Sequence, residues 1–410
     1  MSIEVASPTL AALDPALPEL ASSFDLANVA GRFAGKRRRR VVRCSLHGTR
    51  YEPGVRCVTS YELEFDGDAD RRRTIGVIEL TTRGAHLRDY TQDPALPGLG
   101  AAVALATDAA LGVAADAAGP VAVHPARYHP GERCVLRYDS ADGHVRYGKV
   151  VSTGAAPLAQ TLRDLYAAAS APDAPAVPAV AGVIDELGLV VQEALVGEPL
   201  HRLVFDHGVP TATRLAACRQ AGRAMAGLHA LDVPAPRAVT RADDVADLGA
   251  YLPAVRAADH SLADRLFGTI QRAGASADTA GPLSRLSLGH GSLRTDHVLL
   301  CQGGPGLIDL DGCCAAEPAR DIGNLFAYLR WRAIRRPHDG EIVPQIRQVV
   351  GDEYRRAGGP LDEAGVAFFE AVSLLRIAGR RYRSLTVTEW PLVPALVDAA
   401  TDLLACAEST

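Results

Sequence analysis

The 410-residue chain shows no strong excess of charge of either sign, and its formal net charge of −5 gives no reason to expect nucleic-acid binding. Residues 1–30 lack a basic start followed by an unbroken apolar core, so no secretory leader is predicted. The long apolar window 98–123 is interrupted by Asp108 and Asp116, which indicates a helix and strand rather than a membrane span. These absences together predict a cytoplasmic protein without nucleic-acid or membrane partners.

Paired cysteine spacings of the C-x-x-C kind are also missing. The eight cysteines are scattered, and the adjacent pair Cys313–Cys314 has poor geometry for zinc, so they are interpreted as reduced and mostly buried thiols. The one strong charge run, KRRRR at 36–40, is interpreted as an exposed lead-in to the first strand rather than a phosphate contact.

What the sequence does contain is a repeat. RYEPGVRCVTSY (50–61) and RYHPGERCVLRY (127–138) agree at eight of twelve positions, at an offset of 77. A polar turn follows each copy, at 66–73 and 139–146, and then an apolar strand, so both copies predict antiparallel hairpins. The N-terminal half is therefore expected to hold two related β-rich units, with 41–82 ordered like 122–152 and extending or flanking its sheet.

The copies differ at one informative position. The second has Lys149 in the strand YGKVV, whereas the first has Val77 after Gly76, so we expect no nucleotide site in the first unit. A lysine in a buried-looking strand is costly unless it meets an anion, although a lysine at a sheet edge could extend its ammonium to solvent.

From about residue 199 onward the pattern is mostly helical, with helices predicted at 210–231, 241–273, 318–334, 341–357, 363–383 and 391–407. Thr211 or Thr213 is a candidate cap of the first of these. A helix at 154–170 and two strands at 178–200 complete the N-terminal half. A sheet followed by helices predicts an α+β protein of two lobes.

Residues 120–330 resemble the aminoglycoside phosphotransferase and choline kinase-like family, which has a protein-kinase-like fold. The resemblance rests on Lys149, His290-Gly291, Asp309-x-Asp311 and Pro318-x-x-Asp321, in that order. The repeat predicts a β-rich unit at 1–95, a degenerate copy of the N-lobe hairpin. The resemblance implies a kinase-like N-lobe at 96–196 and a helical C-lobe at 197–410. It also implies ATP and Mg²⁺ as cofactors, because phosphoryl transfer needs charge neutralisation more than covalent chemistry.

The resemblance assigns a role to each motif. It implies that Lys149 binds the phosphates and that Asp309 binds the metal. It also implies that His290 orders the catalytic loop and that Asp321 braces it. Asp311 is either a second metal ligand or a turn cap. The segment VVQEALVGEPL is similar to the hinge that contacts adenine through its backbone, which makes Gln192 and Glu193 candidate nucleotide contacts.

The chain departs from the family at the positions that carry the chemistry. Ser292 replaces the family aspartate, and its hydroxyl is not basic near neutral pH; the loss of a positioned base typically costs about 10²- to 10⁴-fold in rate. His297 occupies an asparagine position, where imidazole suits Mg²⁺ poorly. Asp296 is expected to point elsewhere, and the helix 154–170 offers only Gln160 and Asp164 as polar partners for Lys149.

Two hypotheses follow. The chain is either an ATP-dependent phosphotransferase acting on a hydroxyl of a small molecule or peptide, with weakened catalysis, or a pseudokinase that binds a nucleotide, a peptide or a partner enzyme as a scaffold. Arginines 376, 380, 381 and 383 lie in the helical region where the family builds its acceptor pocket, and this argues against a polycationic aminoglycoside as the acceptor.

Overall fold

The computed structural model describes residues 10, 12–67, 74–105, 107, 109–111, 121–279 and 286–408. The turn predicted at 66–73 lies mostly outside the described residues, as does much of the window 98–123. The fold is mixed α+β, with antiparallel sheets in the N-terminal part and helices in the C-terminal part, which confirms the predicted class.

Two antiparallel sheets form the N-terminal part. The first has four strands in chain order: β1 (Val41–Glu52), β2 (Arg56–Phe65), β3 (Thr74–Thr81) and β4 (Gly84–Asp89). The second has the order β5-β6-β7-β9-β8, with β5 (Val121–His129), β6 (Arg133–Ser140), β7 (Val145–Val151), β8 (Val180–Ile184) and β9 (Leu189–Glu193). The strand order β1-β2-β3 repeats in β5-β6-β7, as the sequence repeat predicted. The two sheets are not hydrogen-bonded into one, so the first flanks the second and does not extend it.

The structural repeat is longer than the hairpin, because an Asp-Pro-Ala-Leu-Pro segment precedes each copy, at 14–18 and 93–97. Asp14 accepts hydrogen bonds from the Tyr51 hydroxyl at 2.9 Å and the Gly54 amide at 2.7 Å. Asp93 does the same for the Tyr128 hydroxyl at 2.6 Å and the Gly131 amide at 2.8 Å. Each carboxylate thus ties its segment to the tyrosine and to the hairpin turn of its own copy.

The strand register corrects the predicted counterpart of Lys149. Lys149 lies opposite Val135, and the equivalent pair in the first sheet is Glu79 opposite Val58. The lysine is therefore replaced by a glutamate and not by Val77. The turn between β2 and β3 is longer than the turn between β6 and β7. Aligning Gly76 with Gly148 by sequence is therefore off by two positions from the strand register, and this alignment paired the wrong residues.

The stacking of the sheets gives a second reason why the first unit offers no nucleotide cleft. Val58, Ile75 and Val77 share one core with Cys134 and Leu136 of the second sheet. The face of the first sheet that corresponds to the Lys149 face is therefore covered by the back of the second sheet. The first sheet buries its other face in the core that also contains helix α1 (Leu26–Arg37).

The remaining helices are α2 (Leu99–Val103), α3 (Ala156–Ala168), α4 (Leu200–Val204), α5 (Thr211–His229), α6 (Arg241–Ala246), α7 (Leu252–Ala258), α8 (His260–Thr279), α9 (Ala319–Arg335), α10 (Pro337–Gly340), α11 (Val343–Arg356), α12 (Glu363–Arg383) and α13 (Val393–Glu408). Short strands lie between α8 and α9: β11 (Ser287–Gly289), β12 (Val298–Cys301), β13 (Gly304–Leu307) and β14 (Cys314–Ala316). Strand β10 (Glu198–Pro199) pairs with β12 and so joins the linker between the lobes to the helical lobe.

Helix α5 begins without the predicted cap, because Pro210 precedes it and neither Thr211 nor Thr213 caps its amides. None of the eight cysteines, all of which the structure describes, is in a disulfide, and five of them are buried, in agreement with the prediction. Residues 36–40 are exposed and lead from α1 into β1, also as predicted.

One helical segment, Val387–Ala407, is long and apolar enough by length and composition to span a membrane. Its helix α13 packs against α8 and α12, and Val393, Leu396 and Leu404 are buried there. The packing gives its apolar face a place in the core of the helical lobe.

Candidate active site

Lys149 lies at the cleft between the lobes and faces the loop after β13. Its ammonium is 3.5 Å from the Asp309 carboxylate and contacts the Asp311 carboxylate directly. The lysine is 7% exposed, so these charges meet with little solvent between them. The lysine and the carboxylates therefore share one cleft, as the order of the motifs predicted. Asp311 pairs with the lysine and does not act as a turn cap.

Asp309 sits at the point where two lobes and two loops converge. It has φ of 62°, a left-handed conformation that is uncommon outside glycine and that aspartate and asparagine adopt more readily than other residues. Its carboxylate is 3.7 Å from His297 Nε2 and 4.0 Å from the Arg133 guanidinium. Burial raises the pKa of Asp309, but Lys149, His297 and Arg133 outweigh it and lower that pKa to about 2. The carboxylate is therefore ionised at neutral pH.

The loop at 290–293 is held rigidly by the start of α9. Asp321, 2% exposed, accepts hydrogen bonds from the amides of His290 at 2.6 Å and Gly291 at 2.9 Å. Arg320 donates to the Gly291 carbonyl at 2.9 Å, and Asn324 donates to the Leu293 carbonyl at 2.7 Å. Asp321 thus braces the loop, in the place the sequence comparison suggested.

Gly291 is required for this loop. Its φ is +84°, and an added Cβ would lie 2.2 Å from the Gly312 carbonyl oxygen. The close approach brings the His290 loop against the Asp309–Asp311 loop.

Ser292 projects from the braced loop without a partner. Its side chain is exposed, and its hydroxyl makes no hydrogen bond with any residue in the described part of the chain. Asp296 is also exposed and pairs with Arg294 at 2.8 Å, so it is engaged away from the serine. Nothing in the described structure prepares Ser292 to accept a proton.

His290 and His297 stack face to face, with ring centroids 5.1 Å apart and planes inclined by 10°. His290 Nε2 donates to the Ile308 carbonyl at 2.9 Å, which fixes the loop that precedes Asp309. His297 Nε2 accepts a hydrogen bond from Arg294 at 2.8 Å. Burial lowers the pKa of His297 to about 3, with further lowering by His290 and Arg294, so this imidazole is neutral at physiological pH.

This low pKa predicts a pH dependence of stability. In the unfolded chain the pKa of His297 is about 6.5, whereas in the folded protein it is about 3. The contribution of His297 to the free energy of unfolding is therefore fully present above pH 6.5. It is lost as the pH falls from 6.5 toward about 3, by at most about 1.4 kcal/mol per pH unit. We expect His297→Asn to flatten the decline. Urea unfolding of both proteins in chelator, from about pH 7 to about pH 5, measures it, and equal slopes would contradict the assignment.

The predicted adenine contacts lie at the end of β9. Gln192 is buried between β7 and β8, and Glu193 pairs with Arg146 at 2.8 Å. The Glu193 amide donates to the Ala179 carbonyl and the Ala194 amide to the Val145 carbonyl. Because these two amides are engaged in the sheet, an adenine contact there would have to use the Glu193 carbonyl or the linker beyond it.

Helix α3 supplies no partner to Lys149. Gln160 donates to Asp164 at 2.8 Å in an exposed pair, and the lysine pairs with the Asp309–Asp311 loop instead. Sequence reasoning missed Arg133, which lies at the start of β6 and reaches toward Asp309. The sequence does not distinguish Arg133, because the first repeat also has an arginine at the equivalent position, Arg56. An arginine shared by both repeats indicates a residue of the hairpin and not of a site.

The four arginines of α12 differ in their partners. Arg376 pairs with Asp244 at 2.8 Å and Arg381 with Glu389 at 2.8 Å. Arg380 donates to the hydroxyls of Tyr328 at 3.2 Å and Tyr251 at 3.4 Å, and no carboxylate of the described residues pairs with it. Two of the four charges, those of Arg376 and Arg381, are therefore paired with carboxylates.

Comparison with known proteins places this site in a family. A model of the phosphotransferase enzyme family matches residues 148–360, just over half of the chain. Among curated proteins, no significant match was found. The structure resembles the amicoumacin kinase hAmiN in complex with AMP-PNP and Ca²⁺, at a TM-score of 0.51 and 16% identity, over 74% of this chain and 92% of that one.

Two further solved structures are similar at lower scores. A choline/ethanolamine kinase family protein from Mesorhizobium loti is 16% identical, over 72% of this chain and 90% of that one, at a TM-score of 0.45. A spectinomycin phosphotransferase solved with ADP and spectinomycin is 11% identical, over 70% of this chain and 94% of that one, at 0.47.

Proposed function

Because the chain belongs to the phosphotransferase enzyme family, we propose that it binds ATP with a divalent cation between its lobes and transfers phosphate slowly to a hydroxyl group. The observation that carries the proposal is the contact of Lys149 with Asp309 and Asp311 across the cleft. A lysine and two carboxylates on facing lobes are the charges that a nucleotide–metal complex would separate and occupy.

In the proposed complex, Lys149 holds phosphate oxygens and Arg133 adds a second positive charge on the same side. Both arise from neighbouring strands of the sheet, β7 and β6, so their spacing is fixed by the ladder. Both side chains lie within 4.0 Å of the Asp309 carboxylate, so their positive charges converge where the phosphates would bind. Gln192 and Glu193 would border the adenine.

The donor atoms at 309 and 311 suit a divalent cation. Two carboxylates offer the hard oxygens that Mg²⁺ and Mn²⁺ prefer. His297 Nε2, 3.7 Å from Asp309, could add a nitrogen ligand only after release of the hydrogen bond from Arg294. Nitrogen favours Mn²⁺ over Mg²⁺, so we propose that Mn²⁺ supports the site better. The bound cation would neutralise phosphate charge.

Weak catalysis follows from Ser292. In the proposed site, the braced loop would carry residue 292 to the cleft, where a base would orient the acceptor hydroxyl and remove its proton. A serine without a partner does neither.

The same observation supports a second candidate function, a pseudokinase that holds a nucleotide or a partner without transfer. It differs from the first in one measurable property, which is turnover.

We propose a neutral or anionic acceptor. Arg380, which lacks a carboxylate partner within the described residues, lies beside Tyr328, and Arg294 of the loop stacks over the same ring at 5.3 Å. Arg294 is paired with Asp296, so Arg380 is the charge that would disfavour a polycationic aminoglycoside bound beside Tyr328. A small molecule or a peptide segment fits this description, in the cytoplasm, where ATP is abundant.

The test is to measure ATP binding and ATP turnover on one sample, first with Mg²⁺ and then with Mn²⁺. Binding with slow turnover supports the weakened enzyme, and binding with none supports the pseudokinase. No nucleotide binding with either cation would contradict the phosphotransferase and favour a scaffold that holds only a partner.

Replacing Lys149 by alanine is expected to weaken ATP binding roughly tenfold to a hundredfold, because a charge-assisted contact to phosphate is commonly worth about 1.5–3 kcal/mol. Calorimetry measures the change. Lys36 is the only other lysine in the chain and lies exposed on α1, so Lys36→Ala is the matched control and should bind ATP like the wild type. Equal affinity of the two variants would remove Lys149 from the nucleotide site.

A further inference from the structure

A second group of metal-ligand side chains lies outside the cleft, on the helical lobe. His207 follows α4 in the loop that leads to α5, and His338 and Asp339 belong to α10, directly after α9. One atom of each residue lies within 4.8 Å of the others. None of the residues assigned to the cleft belongs to this group.

The three side chains converge on one point. His207 Nε2 is 2.8 Å from Asp339 Oδ1, and His338 Nε2 is 3.5 Å from the same oxygen. The centroids of the two imidazole rings lie 5.4 Å apart and the rings are inclined by 45°. Each ring directs its Nε2 atom toward the Asp339 carboxylate. Two nitrogens and one oxygen at these separations need only small shifts to surround a single ion of the size of Zn²⁺.

The Asp339 carboxylate is held so that one of its two oxygens, Oδ1, faces the histidines. Asp339 is 1% exposed, and Arg332 Nε donates to its other oxygen at 2.5 Å. The Arg332 guanidinium is itself fixed over the Phe205 ring at 4.5 Å. A carboxylate ligand whose second oxygen is held by a neighbour is the arrangement that orients ligands in metal sites.

The histidines provide access. Their side chains are 53% and 65% exposed, so an ion can enter from solvent while the aspartate stays buried. Paired without an ion, the two imidazoles would compete for one carboxylate oxygen, and only His207 reaches hydrogen-bond distance.

We infer that His207, His338 and Asp339 form a site for a zinc-class divalent ion, with water as the fourth ligand. Two imidazoles and one carboxylate suit Zn²⁺ or Co²⁺ and not Mg²⁺, which prefers six oxygens. The ion would tie the loop between α4 and α5 to the corner between α9 and α10. This inference is independent of the proposed phosphotransfer.

The experiment uses the full chain without a histidine tag, dialysed against chelator, and titrates it with Co²⁺. We expect one equivalent of Co²⁺ to give the visible absorption of a four-coordinate site, and Zn²⁺ to displace it. Zn²⁺ should also raise the melting temperature of the wild type. His207→Ala and His338→Ala should each lose the absorption and the stabilisation by Zn²⁺.

Two controls separate this site from others. His86→Ala removes an exposed histidine on β4 and should keep the cobalt signal. Asp309→Asn removes a ligand of the cleft and should also keep it. Absence of the absorption in the wild type, its persistence in both histidine variants, or its loss in Asp309→Asn would each overturn the inference. Because His207 is exposed in a loop, its alanine variant should fold, and the melting curve without metal checks this.

Discussion

Changing Ser292 to aspartate together with His297 to asparagine is expected to raise ATP turnover by roughly 10²- to 10⁴-fold, the usual contribution of a positioned base. The loop that would carry the aspartate is already braced by Asp321 and by Arg320. An asparagine at 297 would place an amide oxygen near Asp309 in place of an imidazole, which suits Mg²⁺ better. Phosphate release with water as the acceptor measures the rate.

The control is Ser292→Asn with His297→Asn, which has the same shape but no basic carboxylate and should gain little. Both changes of the active pair are needed, because one supplies the base and the other the oxygen ligand of the same loop. If an unusual acceptor brings its own base, or a partner completes the site, the wild type will turn over with it and the double substitution will gain nothing. Brisk turnover that Ser292→Ala abolishes would show that the serine itself is catalytic.

Asp321→Ala is expected to lower the free energy of unfolding by about 3–5 kcal/mol, as when one partner of a buried charged pair is removed. The carboxylate accepts from two backbone amides and from His229 Nε2 at 3.2 Å, and the other nitrogen of His229 is hydrogen-bonded to the Tyr354 hydroxyl at 2.8 Å. Burial raises the pKa of Asp321, but His229 and the loop lower it to about 2, so it is ionised. Its loss leaves all these donors buried without an acceptor.

Urea unfolding measures this effect, and Asp296→Ala is the matched control. Asp296 is exposed and pairs only with Arg294, so its removal should change stability by less than about 0.5 kcal/mol. The Asp321 variant should also lose ATP turnover, because the loop that carries Ser292 would be free to move. A fully stable Asp321→Ala protein would contradict the bracing role.

The weakened-enzyme and pseudokinase hypotheses share the same cleft and differ in whether phosphate is transferred there, which we expect to depend on Ser292 and His297. The structure leaves the lysine, the two carboxylates and the brace in place around those two positions. We therefore propose that a single loop decides between a binding protein and a transferase, and the double substitution is the most direct comparison of the two.

The sequence by itself determined the α+β class, most helix bounds and the shared cleft of Lys149 and Asp309. It could do so because helical periodicity is local, and because the ordered motifs carry the pairing of distant segments. The helix predicted at 363–383 is found at those residues as α12. The repeated strand order was also available, since the hairpin signals lie within a few residues of each other.

Only the tertiary structure decided the contacts between distant segments. The replacement of Lys149 by Glu79 in the first unit depends on strand register, which the unequal turns conceal from a sequence match. The approach of Arg133 to Asp309 and the convergence of His207 with Asp339 join segments far apart in the chain. Spacing along the chain does not encode such distances, because they are set by how sheets and helices pack on one another.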